Sequence, residues 1–60
     1  MTYDEYRSLR NGNRCVIIKT GEPGTVLAIN RETDDVLVEA KRVARGKVKE
    51  WFNYTYIAKL

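Results

Sequence analysis

The sequence between residues 14 and 57 is a ladder of short β-rich runs, and this ladder constrains the fold more than any other feature. Valine, isoleucine and aromatic residues fill the runs, while glycine, proline, asparagine and aspartate lie between them. Short strands that recur about every 8–12 residues, with turn residues between them, are typical of a small all-β barrel or sandwich. We therefore predict strands at 14–19, 25–30, 36–41 and 48–53.

Alternation within the runs predicts which side chains face the core. In the third run one face carries Val36, Val38 and Ala40, and the other carries Leu37, Glu39 and Lys41, a pattern of a half-exposed sheet. The second run does not alternate strictly, so we expect a β-bulge near Ala28. In the fourth run Trp51 and Phe52 must point to opposite faces.

Local signals place the remaining elements. Thr2 and Glu5 form a capping box, and Asn11-Gly12 supplies a left-handed stop, so we predict a helix over 3–10 that packs on the barrel. Pro23-Gly24 predicts a type II turn, with Gly24 at the position of positive φ. Further turns are predicted at 32–35, at 42–47 and, as one helical turn, at 53–56, before a closing strand over 57–60.

Size and composition indicate one small intracellular domain. Sixty residues make a single domain, in which the barrel would occupy about 14–60. The lone Cys15 fits a reducing compartment, and its place in an apolar strand predicts a small buried hydrophobe. No apolar run approaches a membrane span, and the polar N-terminus lacks the apolar core of a signal peptide. We expect a cytoplasmic protein without a membrane partner.

Positive charge is concentrated in one segment. Residues 41–49 hold five basic side chains and no acidic one, although the whole chain has a net charge of only +3. Such a cluster predicts salt-sensitive contacts with the phosphates of a nucleic acid. Equally, lysines and arginines protect exposed sheet edges from aggregation. The candidate nucleic-acid-binding residues are Lys41, Arg42, Arg45, Lys47 and Lys49, with Arg14 from a neighbouring strand.

The aromatic residues near the C-terminus form a second candidate site. Tryptophan and tyrosine are enriched at interface hot spots, and they also stack on single-stranded bases. Trp51, Tyr54 and Tyr56 are therefore candidate partner-binding residues, whereas Phe52 suits the core and Tyr3 and Tyr6 suit packing of the helix. The alternative is that a small barrel uses these large side chains mainly in its interior.

Nothing in the sequence favours catalysis or a cofactor. The chain has no histidine that could act as a base near neutral pH, and no cluster at metal-ligand spacing. The carboxylates of Glu32, Asp34 and Asp35 lie on a predicted hairpin tip, where nothing would desolvate them. We expect a protein that is not an enzyme and binds no metal or cofactor.

The order of elements resembles an SH3-like small β-barrel. The stretches 12–17 and 21–29 resemble the opening of KOW-type barrels, and 53–60 resembles the turn-and-strand ending of SH3-like barrels in general. Similar ladders occur in a photosystem I subunit that docks partner proteins and in trimethoprim-resistant reductases. The resemblance implies a five-stranded barrel with a short N-terminal helix. The paired tryptophan of proline-rich-peptide-binding SH3 domains and the reductases' active-site strand have no counterpart here.

Together these features predict a non-catalytic binding module. The first hypothesis is contact with nucleic acid through the basic segment between the third and fourth strands, in a regulatory role. The alternative is a protein-interaction module, such as a phage or mobile-element regulator, that docks through an aromatic patch around Trp51 and Tyr54. Association into a homo-oligomer is a third hypothesis, since small domains gain stability by association.

Overall fold

A computed structural model of the chain describes residues 1–42 and 46–60, Arg42 by its backbone alone. Its strands form one antiparallel sheet in the order β4-β3-β2-β1-β5. The predicted all-β fold with five strands and a short N-terminal helix is confirmed. None of the helical segments in these ranges is long and apolar enough to cross a bilayer. The elements are α1 (Tyr3–Arg7), β1 (Arg14–Ile17), β2 (Glu22–Asn30), β3 (Asp35–Arg42), β4 (Gly46–Asn53), a 3₁₀ helix (Tyr54–Tyr56) and β5 (Ile57–Lys59).

The sheet is not closed into a barrel, which corrects the prediction of a closed one. β4 pairs with β3, and β5 pairs with β1, but no pairing joins β4 to β5 in the described ranges. β5 is three residues long, and all three pair with β1. A cleft of about 270 Å³ separates the end of β1 from β4.

The inner face of the sheet carries the core, as the alternation predicted. Val36, Val38 and Ala40 of β3 are buried, whereas Leu37, Glu39 and Lys41 on the other face retain solvent contact. The expected burial of Cys15 is also confirmed. The remaining core residues come from the segment around α1 and from three strands: Tyr6, Leu9, Ile17, Val26 and Ile57.

A β-bulge in β2 keeps the apolar side chains on the inner face, as expected near Ala28. Val26 pairs with Val38, but the next pair joins Ala28 to Leu37, so Leu27 is an extra residue in β2. The shift brings Ile29 opposite Val36, where it packs against the core. Val26 and Ile29 can therefore both face the core although they lie three positions apart along one strand.

The predicted Pro23-Gly24 turn is wrong. Both residues lie inside β2, and Gly24 pairs with Cys15 on one side and Ala40 on the other. The chain reverses earlier, at Gly21, which has a φ of 74° and whose N–H donates to the Ile17 carbonyl at 2.7 Å. Glycine at position 24 meets a need for space: a Cβ there would lie 2.5 Å from Cγ1 of Val38.

The N-terminal helix has the predicted capping box but ends at Arg7 and not at residue 10. The Thr2 hydroxyl accepts from the Glu5 N–H, and the Glu5 carboxylate accepts from the Thr2 N–H. Beyond the helix, the guanidinium of Arg31 donates to the carbonyls of Tyr6 at 3.0 Å and Leu9 at 3.2 Å. This side chain satisfies carbonyls that a longer helix would have used.

The C-terminal segment agrees with its prediction. Asn53 caps the single 3₁₀ turn by accepting from the Thr55 N–H, and β5 follows directly. Ile57 is fully buried at the start of β5. The amino group of Met1 donates to the carbonyls of Tyr54 and Ile57, so the two ends of the described chain lie together.

Candidate nucleic-acid interface

The register of the sheet places most of the predicted cationic residues on its outer face. In an antiparallel pair, directly opposite residues point to the same side. Lys41 points away from the core, so its β4 partner Lys47 does as well. By the same rule Lys49 opposite Glu39, and Trp51 opposite Leu37, are on the outer face. The strands, and not a loop, therefore carry these lysines.

The outer face is a grid of cross-strand rows. One row runs across four strands through Arg14, Thr25, Glu39 and Lys49. Because neighbouring strands lie about 4.8 Å apart, this row spans about 14 Å from β1 to β4. Lys41 and Lys47 form the neighbouring row on one side of it. Ala28, Leu37 and Trp51 form the neighbouring row on its other side, still on the outer face. We call these residues the outer basic face.

The charge of the outer basic face is predominantly positive and solvent-exposed. Lys41, Lys47 and Lys49 are all exposed, whereas Glu39 between them is partly covered. The Lys47 Nζ lies 4.0 Å from the Glu39 carboxylate, at the limit of an ion pair, and such exposed pairs contribute little. Arg14 is oriented by its Nε, which donates to the Gly24 carbonyl at 3.3 Å.

For two of the predicted nucleic-acid contacts, Arg42 and Arg45, the side chain lies outside the described part of the chain. The backbone of Arg42 pairs with Gly46 at the end of the β3–β4 hairpin. Arg45 lies outside the described residues. The predicted loop over 42–47 is also shorter than expected, because β3 extends to Arg42 and β4 begins at Gly46.

The predicted aromatic patch is divided between different surfaces. Trp51 is 50% exposed on the outer basic face, two positions along β4 from Lys49. Tyr54 is partly buried on the helix side, where its ring stacks on Tyr6 with centroids 4.6 Å apart. Tyr56 is 62% exposed, and its carbonyl accepts from the Ile18 N–H. Trp51 is thus the aromatic residue that shares a face with the lysines.

A tyrosine cluster fixes the helix to the sheet. The rings of Tyr3, Tyr6 and Tyr54 contact one another, and the Arg31 guanidinium lies 4.6 Å from the Tyr6 ring centroid. Burial, with the nearby Asp34 carboxylate as a smaller cause, raises the pKa of Tyr6. The Tyr6 hydroxyl is nevertheless outside hydrogen-bond geometry with any described partner. We therefore regard the effect of Asp34 as electrostatic.

The cleft beside β4 is a feature that sequence reasoning missed. It lies between the end of β1 with its following turn and the inner face of β4. Its volume of about 270 Å³ is below the roughly 300–1,000 Å³ of small-molecule sites, so it suits a side chain better than a cofactor. No sequence signal marked it, because the residues belong to distant strands. It is lined by Ile17, Lys19, Thr20, Glu50 and Phe52.

No protein-family model, no curated protein and no solved structure matches this chain. Its function is therefore inferred from its own geometry.

Proposed function

We propose that this chain binds single-stranded nucleic acid through the outer basic face. The observation that carries the proposal is the placement of Lys41, Lys47 and Lys49 on the same solvent-exposed face as Trp51. Arg14 extends the positive charge across the sheet to β1. Cationic side chains provide phosphate contacts, and an adjacent exposed aromatic ring provides a stacking surface for a base.

A single strand fits this face better than a duplex. The half-exposed Trp51 ring can be used only by a base whose face is open, which a paired and stacked base does not offer. Besides its cationic residues, the face carries mainly small or apolar side chains such as Thr25, Ala28 and Leu37, a composition suited to phosphate contacts and stacking. We therefore expect binding that tolerates many sequences.

We also propose that the chain has an SH3-like architecture. The strand order, with β1 between β2 and β5, and the 3₁₀ turn before the last strand support it. We infer an open variant of that architecture, in which the β4 side of the sheet has stayed uncovered. The outer basic face then corresponds to the side of the sheet that the core does not use.

A fluorescence titration tests the proposal. Trp51 is the single tryptophan, so its emission is followed while a single-stranded oligonucleotide is added at low and at high salt. With four cationic contacts, the logarithm of the binding constant is expected to fall with the logarithm of salt concentration with a slope of roughly −3. Absence of any response at low salt would refute the proposal.

Matched charge reversals locate the site. Lys47→Glu combined with Lys49→Glu removes two contacts from the outer basic face, and should abolish binding at moderate salt. Lys19→Glu combined with Lys59→Glu changes the net charge equally but leaves that face intact, because Lys19 lines the cleft and Lys59 pairs with the inward-facing Cys15. Equal losses in the two variants would show that only net charge matters.

A further inference from the structure

The outer edge of β4 is an open strand edge. β4 is the terminal strand of the sheet, and among residues 1–42 and 46–60 it pairs only with β3. It is eight residues long, whereas β5 at the other edge has three. A strand edge of this length offers a row of backbone donors and acceptors to an added strand.

The hydrogen-bond pattern identifies which β4 residues face this edge. Opposite residues in an antiparallel ladder alternate between pairs that exchange hydrogen bonds and pairs that do not. The Tyr54 N–H donates to the Asp34 carbonyl at 3.1 Å, one position beyond the paired Asn53 and Asp35. The even-numbered residues of β4 therefore bond to β3. The odd-numbered residues Lys47, Lys49 and Trp51 direct their N–H and C=O groups to the open edge.

Bonds on the other side of the sheet agree with this assignment. The Val26 N–H donates to the Asn13 carbonyl, and the Val26 carbonyl accepts from the Gly12 N–H. The backbone polar groups of Val26 therefore point away from β3. Its β3 neighbour Val38 must then direct its own groups toward β4, where it pairs with Glu50. The two independent sets of bonds lead to the same alternation along β4.

The two sides of the β4 edge differ in chemistry. On the outer side the edge is bordered by the exposed side chains of Lys47, Lys49 and Trp51. On the inner side Phe52 and, across from it, Ile17 form the apolar part of the cleft, and its other lining residues, Lys19, Thr20 and Glu50, are polar. An added strand would place alternate side chains beside the lysines and the intervening ones over the cleft.

We propose that the β4 edge binds an extended peptide as an additional strand, and that this peptide alternates acidic with apolar residues. Main-chain hydrogen bonds to Lys47, Lys49 and Trp51 supply the affinity, as in β-augmentation. The acidic side chains lie opposite the lysines of the outer side. The apolar side chains occupy the cleft beside Phe52 and Ile17, whose volume matches side-chain-sized groups.

A second copy of the chain is a poorer occupant of this edge. In two β4 strands related by a two-fold axis normal to the sheet, odd-numbered residues pair with odd-numbered ones and even-numbered residues with even-numbered ones. Pairing centred on Val48 or Lys49 places lysine opposite lysine, and pairing centred on Glu50 places two glutamates opposite each other. Pairing centred on Trp51 or Phe52 avoids like charges but joins at most five residues of each strand, because β4 ends at Asn53. Like charges directly opposite are destabilising. An acidic peptide meets the same lysines with favourable charge.

The probe for this proposal is an end-blocked heptapeptide of alternating glutamate and valine. Its binding is followed by Trp51 fluorescence and by amide hydrogen exchange of the β4 residues. Slowed exchange at Lys47, Lys49 and Trp51 is expected, with little change at Glu50, whose N–H already bonds to β3. A heptapeptide of alternating lysine and valine is the charge control and is expected not to bind.

A pair of substitutions at one position separates the contribution of the backbone N–H to peptide binding from that of the lysine charge. Lys49→Ala keeps the N–H at the edge, whereas Lys49→Pro removes it without removing a bond to β3. The proline variant should bind the acidic peptide about tenfold more weakly than the alanine variant. Equal affinities, or unchanged exchange at the three edge amides, would overturn the proposal. If the proline variant does not fold, exchange in the unmodified chain decides. Oligonucleotide titration of the same variants measures nucleic-acid binding independently, so failure of the peptide proposal can be told apart from failure of the nucleic-acid proposal.

Discussion

Replacing Gly24 by alanine tests how tightly β2 and β3 approach each other. The added methyl would lie 2.5 Å from Cγ1 of Val38 and 3.1 Å from the carbonyl oxygen of Glu39. Carbon atoms in ordinary contact are about 3.5–4.0 Å apart, so the overlap with Val38 is about 1 Å. Val38 is buried and β-branched, and it has little freedom to move aside.

The expected cost is a large part of the domain's stability. Overpacking of this kind typically costs about 1–3 kcal/mol. At roughly 0.05–0.15 kcal/mol per residue, a domain of this size has a free energy of unfolding of about 3–9 kcal/mol. Each kcal/mol corresponds to about 4–8 °C in Tm for a small domain. Gly24→Ala should therefore lower Tm by about 4–24 °C.

Urea unfolding followed by Trp51 fluorescence measures the effect, and a double-mutant cycle assigns its cause. Val38→Ala removes Cγ1, so in that background Gly24→Ala should cost at least about 0.5 kcal/mol less than it does alone. Gly21→Asn is the control, because Gly21 has positive φ and open space around it, and asparagine tolerates that conformation. A neutral Gly24→Ala, or strict additivity with Val38→Ala, would refute the close-approach explanation.

Three further predictions concern two buried residues and one side chain that bonds to the segment around α1. Tyr6→Phe should raise the free energy of unfolding by about 1 kcal/mol, since the buried hydroxyl has no partner among the described residues and its lost hydration is uncompensated; a clear loss in urea unfolding would reveal a bond to Asp34. Arg31→Ala should cost about 2 kcal/mol, and Arg31→Lys should recover less than half, because lysine lacks the fork that reaches two carbonyls; full recovery by lysine would contradict this. Burial raises the pKa of the Cys15 thiol, so the unfolded chain loses this proton first and stability should fall above about pH 8.5. Unfolding measured from about pH 7 to 10 should show a shallower decline in Cys15→Ala, and an identical slope in both proteins would count against the assignment.

Elements set by local chemistry could be predicted from the sequence. The alternation of Val36, Val38 and Ala40 identified the inner face of β3, because a strand's side-chain period does not depend on distant residues. The capping box at Thr2 and Glu5 was likewise recognisable, since both partners lie within one turn. The bulge near Ala28 followed from the break in alternation along β2. Each of these features is determined by a few consecutive residues.

Features that depend on tertiary contacts could not be predicted in this way. Pro23-Gly24 has the composition of a turn, and only the approach of Val38 shows that Gly24 is required for space. The end of α1 at Arg7 depends on Arg31, which lies more than twenty residues away in the chain. The separation of Tyr54 from Trp51 depends on stacking with Tyr6. In each case the deciding partner is distant in sequence.

The outer basic face also has a simpler explanation, and the sign of its charge distinguishes the two. Lysines on an edge strand prevent edge-to-edge association, and glutamates at the same positions would prevent it equally well. Phosphate binding, in contrast, requires positive charge. Lys47→Glu with Lys49→Glu should therefore leave the chain as free of aggregation by light scattering as the unmodified protein, while oligonucleotide binding is lost. If the lysines serve only to protect the edge of β4, the unmodified protein shows no oligonucleotide binding that depends on them and the reversal changes neither property, so the function has to be sought in the cleft and its strand edge.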